Sequence, residues 1–506
     1  MVPTGRSPQR RRSGAALPGD RPVSRRPCPG RTHDLTSPNS QGTSRTHSLA
    51  TALSTRLSEL YGGPCTVTEL QRLTGGASAE TWALTAATPS KSAAELILRR
   101  DAPGAEDPAR MAREAAALAE AARVGVPVPH LHDQSPFVPS AAPSRAEAVD
   151  LGGSYLLMAK VPGQALPQRL LRDEDFADVR PRMPYECGRV LARIHHRMDP
   201  DRISGLTAGD QLDQLRTTYH STGDPLPVLE LAFRWLAARR PSAGRDSVVH
   251  GDFRNGNLII GTDGIRAVLD WELVHRGDPM EDLGWLCVRA WRFGAEGPVG
   301  GFGPRSELFR GYAEESGTTP DPEAVHWWEV YGTLRWAVFC RIQAQRARQR
   351  EAEGTLELLA IGRRVAECEH DLLDLLGLAP APVSDVQVAP EADLFGTPSA
   401  AELLAPVRGL LTEWSGQAAP RARYLGRIAV NILDTVSREL SLGPSARENH
   451  AAALHRLGFR DEQDLALAIR QGAVVPNADH RVVDAIRSAT AARLSVANPG
   501  YPRRTE

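Results

Sequence analysis

The chain has 506 residues and carries 60 Lys plus Arg against 61 Asp plus Glu, a formal net charge of −1. At roughly 100–200 residues per domain, that length predicts about two to four domains. The near-neutral balance argues against a dedicated nucleic-acid binder, which carries a basic excess. No apolar run approaches the ~20 residues that cross a bilayer. Cys28, Cys65, Cys187, Cys287, Cys340 and Cys368 are scattered, without CxxC or Cys/His ligand spacing. No membrane span, disulfide scaffold or zinc site is therefore expected, and a reducing cytoplasm fits. Only Lys91 and Lys160 are lysines, a skew that coding bias explains. Any task usually given to lysine must fall to arginine or to one of those two.

In chain order, the first ~45 residues are rich in Arg, Pro, Ser and Gly and nearly free of acids. They cannot bury enough apolar surface to offset their ordering entropy, so 1–47 is expected to be a disordered tail. It has no secretory h-region. Leu49–Tyr61 has the period of an amphipathic helix, with Leu53, Leu57 and Leu60 on one face. Strand-like pieces follow at Thr66–Leu73, Glu80–Thr85, Glu95–Arg99, Val126–His132 and Ser154–Lys160, with a helix at Pro108–Val124. These make a mixed lobe over 48–160.

A helical lobe is expected over 161–378, with helices at Tyr185–Arg197, Gln211–Tyr219, Pro227–Ala238, Met280–Trp291, Ser306–Ser316, Pro322–Arg348 and Leu356–Leu376. Residues 379–398 are proline-rich and aperiodic, which reads as a linker. Residues 399–501 read as an all-α domain, with helices at Ala400–Glu413, Ala422–Leu440, Ala446–Leu457, Gln463–Gln471 and Arg481–Leu494. In the second of these, Leu425, Ile428, Ile432 and Val436 recur near 3.6 residues.

A strand-and-loop island interrupts the helical lobe at 247–271. It reads Val248-Val249-His250-Gly251-Asp252-Phe253-Arg254-Asn255-Gly256-Asn257-Leu258, then Val268-Leu269-Asp270-Trp271. Short strands thus deliver Asp252, Asn257 and Asp270 to neighbouring loops. Phosphoryl transfer needs this inventory: a carboxylate to orient and deprotonate a hydroxyl, and an Asn with an Asp to hold Mg²⁺. The Asp252-to-Asn257 interval matches the kinase catalytic loop H-R-D-x-x-x-x-N, with Gly251 in place of its Arg.

These residues, with Leu269-Asp270-Trp271-Glu272, resemble the aminoglycoside-phosphotransferase (APH) family of small-molecule kinases. The resemblance covers about Leu49–Leu376. It implies an α+β, bilobal, protein-kinase-like fold with a mixed N-lobe and a helical C-lobe, here with an additional C-terminal all-α domain. It also implies Asp252 as catalytic base, and Asn257 and Asp270 as metal ligands. Gly75, Gly76 and Ser78 lie between two strands, where a loop's N–H groups can cradle phosphates. Arg99 stands where such kinases place a phosphate-binding lysine, and Glu114 is its expected carboxylate partner. Tyr155–Gly163 resembles the hinge that meets the base, with Met158 and Lys160 in it, the Lys160 side chain solvated. His195 reads as a packing and hydrogen-bonding residue. Asp278 is placed to cap the helix beginning near Met280, and Asp282 to hold the catalytic loop.

The implied cofactors are ATP, with GTP as the alternative, and Mg²⁺. Within the family, Leu98–Gly104 and Val126–Pro129 are most similar to the kinase domains associated with acyl-CoA dehydrogenases, which phosphorylate 4-hydroxyacyl-CoA thioesters. Ala429–Leu433, Ser437–Leu440, Ala468–Gly472 and Asn498–Tyr501 resemble a small helical accessory family of levulinate-catabolism kinases. The expected acceptor is thus a small hydroxylated molecule, a CoA thioester, with an acyl-CoA dehydrogenase pathway partner and neither nucleic acid nor membrane. Arg421, Arg423, Arg427 and Arg470 are candidates to meet CoA phosphates. Two alternatives stay open: an aminoglycoside or macrolide kinase, and a catalytically inactive nucleotide-binding scaffold.

Overall fold

The computed structural model describes residues 40–73, 79–102, 106–135, 151–242, 244–349, 355–382, 399–474 and 479–501. Most of the expected tail, much of the linker and the loop holding Gly75, Gly76 and Ser78 lie outside the described residues. The chain divides into two units between Leu49 and Ala50. In the first, the described residues form the opening of helix α1 (Ser40–Tyr61), which begins ahead of the apolar periodicity at Leu49. The remaining elements belong to the second unit.

Its mixed lobe consists of β1 (Thr66–Leu73), β2 (Ala79–Thr88), β3 (Lys91–Asp101), α2 (Pro108–Arg123), β4 (Leu131–Gln134) and β5 (Tyr155–Ala159). The strands form one antiparallel sheet in the order β1-β2-β3-β5-β4. Period-2 burial sets the register: Trp82, Leu84 and Ala86 on β2 and Leu96 and Leu98 on β3 point into the core. Arg99 therefore points to the other face, beside α2. That helix starts at Pro108 with the Asp107 carboxylate accepting from the Arg110 N–H, and it buries Met111, Glu114, Ala115 and Leu118. The expected strand at Val126–His132 forms only from Leu131, because Pro127 and Pro129 cannot donate to a ladder.

The helical lobe contains α3 (Pro167–Arg172), α4 (Met183–Arg197), α5 (Gln211–Ser221), α6 (Pro227–Ala238), β6 (Ser247–Val249), β7 (Leu258–Gly261), β8 (Gly264–Val268), β9 (His275–Gly277), α7 (Met280–Cys287), α8 (Arg305–Ser316), α9 (Pro322–Arg348), α10 (Thr355–Gly362) and α11 (Val365–Leu375). Helices α4 and α8 cross so closely that a Cβ on Gly188 would strike the Leu308 carbonyl, and one on Gly311 the Tyr185 carbonyl. Two expected helices are shorter. One stops at Cys287 and continues as a 3₁₀ turn at Arg289–Arg292. The other breaks after Gly362, which packs on Ala344.

The C-terminal helices are α12 (Ala400–Gln417), α13 (Pro420–Arg456), α14 (Glu462–Gln471) and α15 (His480–Ala497). The two helices expected within 422–457 are one, running straight through Gly443-Pro444. Pro444 is exposed, so the carbonyl it leaves unbonded one turn earlier can be served by water. Leu454, Leu465, Ile469, Val482 and Ile486 share one apolar cluster with Leu229, Phe233, Trp327 and Leu372 of the helical lobe. Ion pairs border it: Arg470 meets buried Glu230 at 2.5 Å, and Arg493 grips both oxygens of buried Glu369 at 2.7 and 2.8 Å. Tyr501 donates to Asp371 at 2.5 Å. No described helix is long and apolar enough to cross a membrane. The cysteines among the described residues are buried and unpaired.

Candidate active site

The site forms where β6, β7 and β8 end. β6 pairs with β9, and β7 with β8. The loop 250–257 between β6 and β7 is anchored by buried aromatic residues. Phe253 and Trp271 are fully buried, and the His250 ring lies 4.6 Å from that of Trp271. Gly251 has φ +79°, and a Cβ there would meet the Leu273 carbonyl at 2.5 Å. Only glycine fits between His250 and Asp252.

Polar contacts fix the loop from below. The Asp282 carboxylate accepts the His250 N–H at 2.8 Å and the Gly251 N–H at 2.9 Å, and the His195 imidazole at 3.0 Å. Burial opposes its charge, but His195 and the loop amides hold it below the usual carboxylate range. His195 also bonds Tyr312 at 3.1 Å, so it packs and braces at depth. Asp278 accepts the Met280 N–H at 2.9 Å at the start of α7. The His250 ring accepts the Asp252 N–H at 3.1 Å and turns its other nitrogen to the Leu269 carbonyl at 3.1 Å. Burial keeps this ring below its ordinary pKa and hence neutral, despite nearby Asp282 and Asp252. Arg335 of α9 donates to the Gly251 carbonyl at 2.9 Å.

The Asp252 carboxylate is partly exposed, and its oxygens have different neighbours. Oδ2 accepts from the Asn257 amide at 2.7 Å. Oδ1 accepts from the Trp285 indole at 2.9 Å and from Arg254 Nε at 3.0 Å. The Asn257 NH₂ also donates to the Asp252 carbonyl at 3.0 Å, which turns its amide oxygen the opposite way. The Leu269 N–H donates to the Asn257 carbonyl at 2.8 Å and ties this loop to the turn bearing Asp270. Asp270 is held at φ +66°, ψ +65°, a left-handed conformation that aspartate tolerates better than most residues.

Across the cleft Arg99 joins the two lobes. It lies 3.1 Å from Glu114, 2.9 Å from Asp270 and 2.8 Å from Glu272. Arg110, paired with buried Asp101, approaches Glu272 at 3.3 Å and Glu114 at 3.9 Å. Burial works against the Arg99 charge, but three carboxylates overcome it and hold the group above its ordinary value. Glu114 is 2% exposed, and burial pushes it up to about 7 against the pull of Arg99. The like charges of Asp270 and Glu272, which share the same guanidinium, push it the same way to a smaller extent. Arg99 Nε and Glu114 Oε2 are buried without hydrogen-bond partners among the described residues.

Asp252, Asn257 and Asp270 therefore meet on one side of the cleft, with Arg99 and Glu114 opposite. Met158 packs into the apolar core from β5, with register partners Ile97 and Leu131 on either side. Lys160 spends its N–H on the Glu95 carbonyl at 3.1 Å and its ammonium on the Glu95 carboxylate at 2.5 Å, at the surface. Arg470 is taken by Glu230, and Arg421 by Glu357 at 2.6 Å. Sequence reading missed Arg254, Trp285, Arg335, Arg110 and the role of Glu272. Arg254 and Glu272 each lie two residues from an acid of the motif. Nothing local marks Trp285 or Arg335.

A sheet lobe and a helical lobe joined over a cluster of acids, an asparagine and an arginine define a phosphotransferase. The chain matches the phosphotransferase enzyme family over residues 69–328, and it belongs to that family. It is a small-molecule kinase of bilobal, kinase-like fold. Residues 416–501 match a domain of unknown function. Among curated proteins it is similar to acyl-CoA dehydrogenase family member 10 of Mus musculus, 29% identical over 210 residues, 38% of this chain and 18% of that protein. It is also similar to family member 11 of Gallus gallus, 28% identical over 148 residues, 27% of this chain and 18% of that protein. The chain thus spans less than a fifth of the length of either relative. Among solved structures, a choline/ethanolamine kinase family protein from Mesorhizobium loti is 21% identical, with 64% of this chain and 95% of that one covered and a TM-score of 0.42.

Proposed function

We propose that this kinase transfers the γ-phosphoryl group of ATP to the hydroxyl of a 4-hydroxyacyl-CoA. The observation supporting the chemistry is the asymmetric setting of Asp252, with Asn257 on one oxygen and donors from Trp285 and Arg254 on the other. In this reading Asp252 orients the acceptor hydroxyl and takes its proton as the oxygen attacks phosphorus. Three donors keep the carboxylate aimed without consuming all its acceptor sites.

The amide oxygen of Asn257 and the carboxylate of Asp270 are hard oxygen donors and fit Mg²⁺. Bound there, Mg²⁺ would neutralise charge on the phosphates. Arg99, already fixed by Glu114, would turn its fork to phosphate oxygens and loosen its hold on Asp270 and Glu272. The orphaned Arg99 Nε and Glu114 Oε2 support a polar ligand on this side. Gly75, Gly76 and Ser78 remain candidates for the phosphate loop, and Met158 and Lys160 for the base-contacting hinge.

The acyl-CoA assignment is supported by similarity to the two acyl-CoA dehydrogenase family members. The test is direct. Purified protein, ATP, Mg²⁺ and 4-hydroxyvaleryl-CoA should yield a phosphorylated thioester by mass spectrometry, and its absence would remove that substrate.

A further inference from the structure

Resting on the kinase reading above, the further question is what the acceptor must carry besides its hydroxyl. The two oxygens of Asp252 divide the cleft. Oδ2 faces Asn257, on the side of Asp270 and Arg99, so the nucleotide belongs there. An attacking hydroxyl opposite the leaving group must come in on the Oδ1 side. That side is built from Arg254 of the loop, Trp285 of α7, Trp291 of the 3₁₀ turn and Trp336 of α9.

These groups share one character. Trp285, Trp291 and Trp336 form a continuous aromatic run, with ring centroids 5.1 and 4.9 Å apart. The Arg254 guanidinium lies over the Trp291 ring at 4.6 Å and is 24% exposed. Its Nε is held by Asp252, and its Nη1 sits 3.5 Å from the Asn255 carbonyl. Asp252 is the one carboxylate paired with it among the described residues. The indole N–H groups of Trp291 and Trp336 are buried without an acceptor among the described residues. Glu329 of α9 is buried and taken by Arg292 and Arg305. Trp285 and Trp291 are buried, so apart from Asp252 this wall presents to the cleft the fixed cation of Arg254, backed by an aromatic run.

We infer that Arg254 is the acceptor-specificity residue: its outer edge binds an acyl oxygen of the acceptor, and the wall excludes polycationic acceptors. A planar fork stacked on an indole loses little freedom when it binds a planar acyl group. An ammonium in the same place would meet a fixed like charge with no carboxylate beyond Asp252, already shared with Arg254, to offset it. The acyl oxygen can belong to a thioester or to a free carboxylate, and the two are separated by experiment.

The full chain, with ADP and Mg²⁺ present, is titrated calorimetrically with valeryl-CoA, valerate and kanamycin. None of the three needs to be phosphorylated for binding to be read. Wild type should bind valeryl-CoA or valerate, whichever source carries the acyl group, and should bind kanamycin more weakly than either. Arg254→Gln should weaken the acyl ligand at least tenfold while ADP affinity stays within twofold. Arg254→Lys should fall between, and it serves as the second variant if the glutamine form folds poorly. Asp252→Asn should still bind the acyl ligand, which separates binding by Arg254 from its contact with Asp252. Equal affinities of wild type and both Arg254 variants would overturn the inference, as would preference for kanamycin or binding of neither acyl ligand. Normal acyl binding with no phosphorylated product from ATP, Mg²⁺ and 4-hydroxyvaleryl-CoA would instead remove that substrate from the proposed function and leave this inference standing.

Discussion

Replacing Arg99 by alanine should produce two separable defects. On the nucleotide side, losing a charge-assisted fork costs about 1.5–3 kcal/mol, which predicts a rise of roughly 10- to 100-fold in nucleotide KM. On the folding side, Asp270 and Glu272 are partly exposed, and Glu272 keeps Arg110 at 3.3 Å. Glu114 is the group left stranded, with Arg110 at 3.9 Å as its remaining cation. Removing one partner of a buried ion pair costs about 3–5 kcal/mol when the other stays charged. Protonation limits that cost. Burial already raises Glu114 to about 7 with Arg99 present, and without Arg99 it must rise further. An acid whose pKa is higher folded than unfolded gives stability that is greatest at low pH and is lost as pH rises through the folded value. The variant should therefore be only mildly destabilised at pH 6 and strongly so at pH 8, as read by urea unfolding. The double variant Arg99→Ala/Glu114→Gln should regain stability at pH 8 while its nucleotide KM stays high. A wild-type nucleotide KM in the single variant, or no recovery in the double, would refute the reasoning.

Asp252→Asn should lower turnover ~10²–10⁴-fold, with nucleotide affinity retained in equilibrium binding. Trp285→Phe keeps a smaller aromatic ring and deletes the N–H that reaches Asp252 at 2.9 Å. A loss of about 1.5–3 kcal/mol predicts a fall in kcat of roughly tenfold or more, measured at saturating substrates. Arg470→Met leaves Glu230 buried and unpaired, so urea unfolding should show about 3–5 kcal/mol less stability; unchanged unfolding would remove the pair from the account. His250, buried and neutral, has a folded pKa below its unfolded one. Stability should thus be full above about pH 6.5 and decline as pH falls below it, a slope that His250→Gln should flatten.

The parts of the site that sequence could reveal are those that chain neighbours determine. His250, Gly251, Asp252 and Asn257 occupy one tight loop, so spacing alone carries the geometry and glycine marks the crowded turn. Strand alternation sets Arg99 on the face opposite Leu98, whereas Glu114 as its partner, 3.1 Å away, is implied by the family resemblance. Trp285 and Arg335 reach the same loop from helices far along the chain, and no local pattern marks either. Propensity also misjudged α13, where the dipeptide Gly443-Pro444 reads as a break and tertiary packing carries the helix through.

The carboxylates Glu230 and Glu369 belong to the helical lobe, while Arg470 and Arg493, which neutralise them, come from the last two helices. During translation the catalytic loop is made first, and its supporting lobe waits with bare acids until those arginines emerge. A premature stop in the final helices should then destabilise the helical lobe, although every residue of the cleft would already have been synthesised.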